Sequence, residues 1–152
     1  MKVKYFVLSF IAAAFLSSAI GTPKDLSIGS PAPKIETIEG SNVVEDAKSE
    51  SKTKESKTKV VSFWSPKKPA SRIANRKLSE LYGQNNPNVE FISICTDKDD
   101  SLMSEVMKKD GVNPDMSFTF SQVSSRVFKD YGVEETPKAF EITSEGKISK
   151  IL

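Results

Sequence analysis

Two short apolar runs, Val60-Val61-Ser62-Phe63-Trp64 and Val89 to Cys95, predict strands, the first suited to burial on both faces. Between them Ala70, Ala74, Leu78 and Leu81 recur on one helical stripe that Gly83 stops, so the spacing predicts a helix over 70–82. After the polar loop Thr96-Asp97-Lys98-Asp99-Asp100, a second helix turns Leu102, Met103, Val106 and Met107 inward. Phe118-Thr119-Phe120 adds a short strand, and Val123, Val127, Phe128 and Tyr131 keep helical spacing up to Gly132. The pattern then changes to period two: Ala139 to Thr143, the turn Ser144-Glu145-Gly146-Lys147, and Ile148 to Leu152 predict two antiparallel strands. Helix and strand in alternation, closed by a hairpin, make an α/β domain with a central sheet of mixed direction flanked by helices.

The amino-terminal third is patterned differently. Lys2 and Lys4, the apolar run from Tyr5 to Leu16 and the small residues Ser17, Ser18 and Ala19 predict an export signal over 1–19. The run is short against the roughly 20 apolar residues of a membrane span, so contact with a membrane is expected only through this segment if it stays uncleaved. Residues 20–34, with Gly29, Pro31 and Pro33, read as an extended lead-in to a domain over 35–152. Ile35-Glu36-Thr37-Ile38 alternates before Glu39-Gly40 and predicts a short hairpin strand. Residues 45–59 form a Lys/Ser/Thr/Glu tract with almost no apolar side chain, expected to be a flexible surface loop.

Composition narrows the chemistry. A length of 152 residues allows one modest core, and 22 basic against 20 acidic residues leave a net charge of +2, too balanced for nucleic-acid binding through bulk electrostatics. The chain has no histidine, which removes His-based zinc sites, Ser-His-Asp triads and Cys-His nucleophile pairs. Cys95 is the only cysteine, so stability in an oxidising compartment comes from packing and not from an internal disulfide. No metal or cofactor is implied.

Four segments in order carry a family resemblance: Ile28-Gly29-Ser30-Pro31-Ala32-Pro33, Val60 to Trp64, Val89 to Ile94, and Tyr131-Gly132-Val133-Glu134-Glu135-Thr136-Pro137. From Leu26 to Ile151 the chain resembles the thioredoxin-like superfamily, most of all its extracytoplasmic branch related to alkyl hydroperoxide reductases and thiol-specific antioxidants. The resemblance implies a thioredoxin-like fold with an N-terminal strand extension and a cis proline at Pro137, facing the segment that carries the redox motif in the family. It also implies a final helix after the hairpin. The sequence instead stops at Ile151-Leu152, so part of the sheet is expected to be uncovered. The family's Cys-x-x-Cys pair falls on Lys68 and Ser71 of Trp64-Ser65-Pro66-Lys67-Lys68-Pro69-Ala70-Ser71-Arg72. Disulfide exchange needs a low-pKa thiolate and a second thiol to resolve the mixed disulfide, and neither side chain supplies one.

The expected function is an exported, non-catalytic binding or accessory module. The groove residues carried over from the resemblance are Trp64, Pro69, Arg72, Thr136 and Pro137, with an extended peptide or protein segment as the partner. An enzyme using Cys95 as a lone thiol oxidoreductase or peroxidase nucleophile is the alternative, and a vestigial protein is another. The bland expectations are that Cys95 is a buried small hydrophobe and that Trp64 and Pro137 serve packing and backbone. Likewise Lys67, Lys68, Arg72, Arg76 and Lys77 form either an electropositive patch or a solvated helix end.

Overall fold

A computed structural model describes residues 26–38, 57–83 and 86–152. The proposed export signal and all but the last residues of the Lys/Ser-rich tract lie outside them. Among the described residues five strands make one sheet in the order β3-β2-β1-β4-β5, where β1 is Thr58–Trp64, β2 Val89–Cys95, β3 Ser117–Phe118, β4 Lys138–Ile142 and β5 Ile148–Ile151. β1 runs parallel to β2, and β2 to β3, while β4 lies antiparallel to both β1 and β5. The helices are α1 (Pro69–Leu78), α2 (Asp100–Asp110) and α3 (Ser125–Asp130).

β1 begins two residues earlier than the apolar run suggests. Thr58 and Lys59 pair with Val89 and Glu90, and the Lys59 ammonium lies 3.8 Å from the Glu90 carboxylate. Pairing with β2, and for Lys59 with β4 as well, thus recruits polar residues assigned by pattern to the loop. Ile35–Ile38 forms no strand among the described residues. Thr37 makes a single bridge to Val123, and Pro31 makes another to Lys147. That N-terminal extension is held instead by backbone bonds from Gly29 N–H to the Ile148 carbonyl and from Ile148 N–H to the Ser30 carbonyl, with the Tyr131 hydroxyl donating to the Pro33 carbonyl at 2.8 Å. Phe120 likewise leaves the strand predicted for it, since β3 ends at Phe118 and residues 120–122 turn as a 3-10 helix. Val123 precedes α3 and Tyr131 caps it, so this helix is shorter than its spacing suggested.

Alternation along the strands divides the core in two. On one face Val61, Phe63, Ile92, Ile94, Phe140, Ile142 and Ile148 pack against Val123, Val127 and Tyr131. Phe63, Tyr131 and Phe140 meet there with ring centroids 5.1 to 6.4 Å apart, within the range of favourable aromatic pairs. On the other face Trp64 and Cys95 meet Met103, Val106, Met107 and Val112 from α2 and its exit. α2 is closed at both ends: the Asp99 side chain accepts from Leu102 N–H, and Gly111 ends it in the left-handed conformation at φ 69°, where a side chain would be strained.

α1 covers its part of the sheet with polar side chains. Its fully buried residues are Ser71 and Asn75, followed by Ser79 in the π-helical turn Ser79–Gly83, whereas Ala70 is exposed, Ala74 and Leu78 are half-buried and Leu81 is 66% exposed. The predicted apolar stripe is therefore off by one residue, a rotation of about 100°. The reason lies in the strands. Ser93 puts a hydroxyl into the interface and Asn75 Oδ1 accepts it at 3.0 Å, while Ser71 Oγ accepts the Ser65 N–H at 2.9 Å. Buried polar groups left unpaired cost more than apolar flanks left half-covered, so the helix turns to satisfy them. A bidentate pair then ties α1 to the end of α2: Arg72 Nη2 lies 2.6 Å and Nε 3.0 Å from the two Asp110 carboxylate oxygens.

Asn75→Ala is expected to lower stability by about 1–3 kcal/mol in urea unfolding, because it strands the Ser93 hydroxyl; adding Ser93→Ala recovers part of that loss. The guanidinium of Arg72 holds the Asp110 carboxyl below the ordinary carboxylate range. Its contribution is therefore complete above about pH 4 and fades as pH falls through the lowered folded-state value. The stability difference between the native chain and Asp110→Ala should narrow below about pH 4 and stay flat from 5 to 8; a difference that grew on acidification would contradict the pairing.

Candidate functional site

β1 and β2 end level with one another, and the Trp64 carbonyl accepts both the Thr96 N–H (2.8 Å) and the Thr96 hydroxyl (3.1 Å). Beyond them, Ser65-Pro66-Lys67-Lys68 turns into α1. Ser65 organises this turn: its carbonyl accepts the Lys68 N–H at 3.3 Å, its hydroxyl accepts the Lys67 N–H at 3.3 Å, and its own N–H goes to Ser71. Lys68 is the N-cap residue and makes no capping bond with its side chain; Pro69 follows at the first helical position, where a missing N–H costs nothing. Thus the two positions to which the resemblance assigns the redox pair hold an exposed ammonium at Lys68 and a fully buried, hydrogen-bonded hydroxyl at Ser71.

Facing this turn is the loop 133–137, with a cis peptide between Thr136 and Pro137. A cleft of about 450 Å3 opens between them. Ser65 and Lys68 line one wall, and Glu134 and Thr136 line another. Thr96 and Ser125 also reach it, and its apolar lining comes from Phe120, Phe128 and Val133. Phe120 and Phe128 are stacked, with centroids 5.1 Å apart and planes 17° from parallel, and the Lys98 ammonium sits 5.6 Å from the centre of the Phe120 ring.

Lys68 and Thr136 line the cleft together. Pro69 and Pro137 lie exposed at its margins in sequence without lining it. Trp64 is 1% exposed and packs with Cys95 and α2, its indole nitrogen without a hydrogen-bond partner among the described residues. Arg72 is engaged by Asp110. Three of the five basic residues are paired: Lys67 with Asp97 at 3.0 Å and Arg76 with Glu80 at 3.7 Å, besides the Arg72 pair. Lys67 also holds the Asp97 carboxyl below its ordinary value, chiefly through that hydrogen bond.

Cys95 is fully buried at the end of β2. Burial pushes its thiol up to about 11, against which the Asp97 N–H, donating to Sγ at 3.4 Å, is too weak a counterweight. At neutral pH such a group holds about one thiolate in ten thousand molecules, far below a poised nucleophile. Among the described residues no cluster of His, Cys, Asp and Glu has the arrangement of a metal site. The cleft's aromatic lining is not legible in the sequence: Phe120 and Phe128 sit eight positions apart in different elements, and only their stacking in space brings them together.

No curated protein matches the chain. Among solved structures it is similar to a thioredoxin-like protein from Parabacteroides distasonis, at 25% identity and a TM-score of 0.57 over 62% of this chain and 71% of that one. It is also similar to a secreted disulfide oxidoreductase of Mycobacterium tuberculosis, at 22% identity and a TM-score of 0.55 over 64% of this chain and 69% of that one. A thiol-disulfide oxidoreductase from Bacteroides fragilis aligns over 80% of this chain and 89% of its own, at 20% identity and a TM-score of 0.59. The sequence profile described as thioredoxin-like matches residues 56–148, from two residues ahead of β1 to the first residue of β5. With the mixed sheet, the turn into α1 and the cis Thr136-Pro137 bond opposite it, that match means that the chain belongs to the thioredoxin-like family.

Proposed function

We propose that this protein is an exported, redox-silent member of its family that binds an extended peptide or protein segment in the cleft between the Ser65–Lys68 turn and the 133–137 loop. The observation that carries the reading is the state of the two former thiol places. Lys68 has no sulfur to attack with, and Ser71 is locked in the core as the acceptor of the Ser65 N–H. The scaffold around them is kept, including the cis bond and an open cleft with apolar and hydrogen-bonding walls. Binding without exchange is what such a site supports chemically. Export is supported by the charged, apolar and small-residue order of positions 1–19 and by the similarity to a secreted disulfide oxidoreductase.

An enzymatic reading would have to use Cys95. Its full burial and raised pKa oppose attack on a disulfide or a peroxide, and no arginine pairs with it.

Reduction of insulin disulfides by the native chain beside a Lys68→Cys, Ser71→Cys double variant tests the reading. The native chain is expected to match the uncatalysed background and the variant to exceed it. Native turnover that disappears in Cys95→Ser would overturn the proposal. Alkylation gives an independent readout: Cys95 in the folded chain should react at least about a hundredfold more slowly with iodoacetamide than in urea, and its rate should climb through pH 9–10 without the plateau of an ordinary thiol near 8.5.

A further inference from the structure

We infer that the cleft selects an extended segment by one large apolar side chain laid against the Phe120–Phe128 stack, with an acidic residue toward Lys68 and a basic residue toward Glu134. The inference rests on the peptide-binding reading above and names the chemistry of the ligand.

Phe120 and Phe128 are only half-buried, and both line the cleft. Phe128 also packs against the main core, whereas Phe120 belongs to neither core cluster and is held by the stack and by Lys98. A ring that the fold does not need for its core, kept half-open inside a concave site, offers the apolar contact that anchors a ligand. Aromatic surface of this kind favours a ligand ring in an offset or edge-to-face arrangement.

The charges on the two walls set what flanks the anchor. Lys67, Arg72 and Arg76 are each spent on an intramolecular carboxylate, but Lys68 and Glu134 have no ion-pair partner among the described residues. They come from different segments around the cleft, the turn into α1 and the 133–137 loop, and carry opposite signs. Like charges at both ends of a ligand would therefore meet repulsion on one side, and opposite charges would be complementary on both. In an extended segment side chains two positions apart point the same way, so acid, apolar anchor and base fall on alternate residues.

The test is titration of the isotope-labelled full chain, followed by backbone amide NMR shifts, with the blocked pentapeptide Asp-Ala-Phe-Ala-Lys. Comparison peptides carry Ala in place of Phe, or Lys in place of Asp. Shifts at Ser65, Thr96 and Thr136, and binding weakened about tenfold or more by loss of the Phe, are expected. The Lys-for-Asp peptide should bind several-fold more weakly. Phe120→Ala should erase the preference for Phe; Lys68→Glu, a surface change that leaves the core intact, should reverse the preference between the Asp and Lys peptides. Equal binding of all three peptides at this cleft would overturn the inference while leaving the binding module standing. Absence of shifts in the cleft with every peptide would overturn both.

Discussion

The in-register parallel pairing of β1 with β2, from Thr58 against Val89 to Trp64 against Cys95, ends the two central strands at one level. Two loops consequently leave the sheet side by side, and the Trp64 carbonyl binds Thr96 twice to keep them there. Antiparallel β4 on the other flank of β1 starts from the same edge, so the 133–137 loop arrives opposite the turn into α1. A crevice at the carboxyl edge of parallel strands follows from that arrangement alone, and loops can furnish it with any chemistry.

In this chain the furnishing carries no cysteine in the turn into α1. The turn into α1 is organised by Ser65 and Ser71, whose hydrogen bonds satisfy the backbone where the strand becomes helix. The same need for satisfaction runs down the helix: Asn75 answers Ser93, and Ser79 continues the buried line. α1 is thus held by polar contacts and by the Arg72–Asp110 clamp, while the apolar burial that stabilises the domain is concentrated between the sheet and α3 and around α2. The lone sulfur joins the second of these clusters as a packing group beside Met103 and Met107.

Strong local patterns transferred well from sequence to structure. The five-residue run ending in Trp64, the Val89–Cys95 run, the Leu102–Met107 spacing and the final hairpin all became the elements they predict, because each pairs a clear period with adjacent stop signals. Weak or conflicting patterns did not transfer. Ala70, Ala74, Leu78 and Leu81 make a convincing helical stripe, yet the sheet beneath α1 offers hydroxyls, and the polar stripe one residue on won the interface. Phe120 reads as a strand residue until its ring is seen stacked on Phe128.

By itself the sequence determined the fold class, the order of most elements and the loss of the dithiol, since these depend on local periodicity and on which residues are present at all. It also left Cys95 as the only cysteine. Only the tertiary structure decided which cations remain unpaired, which face of α1 is buried, how deeply Cys95 is sequestered and which aromatics line the cleft. Those are contacts between residues far apart along the chain, and their energies depend on distance and burial in space, to which no one-dimensional pattern gives access.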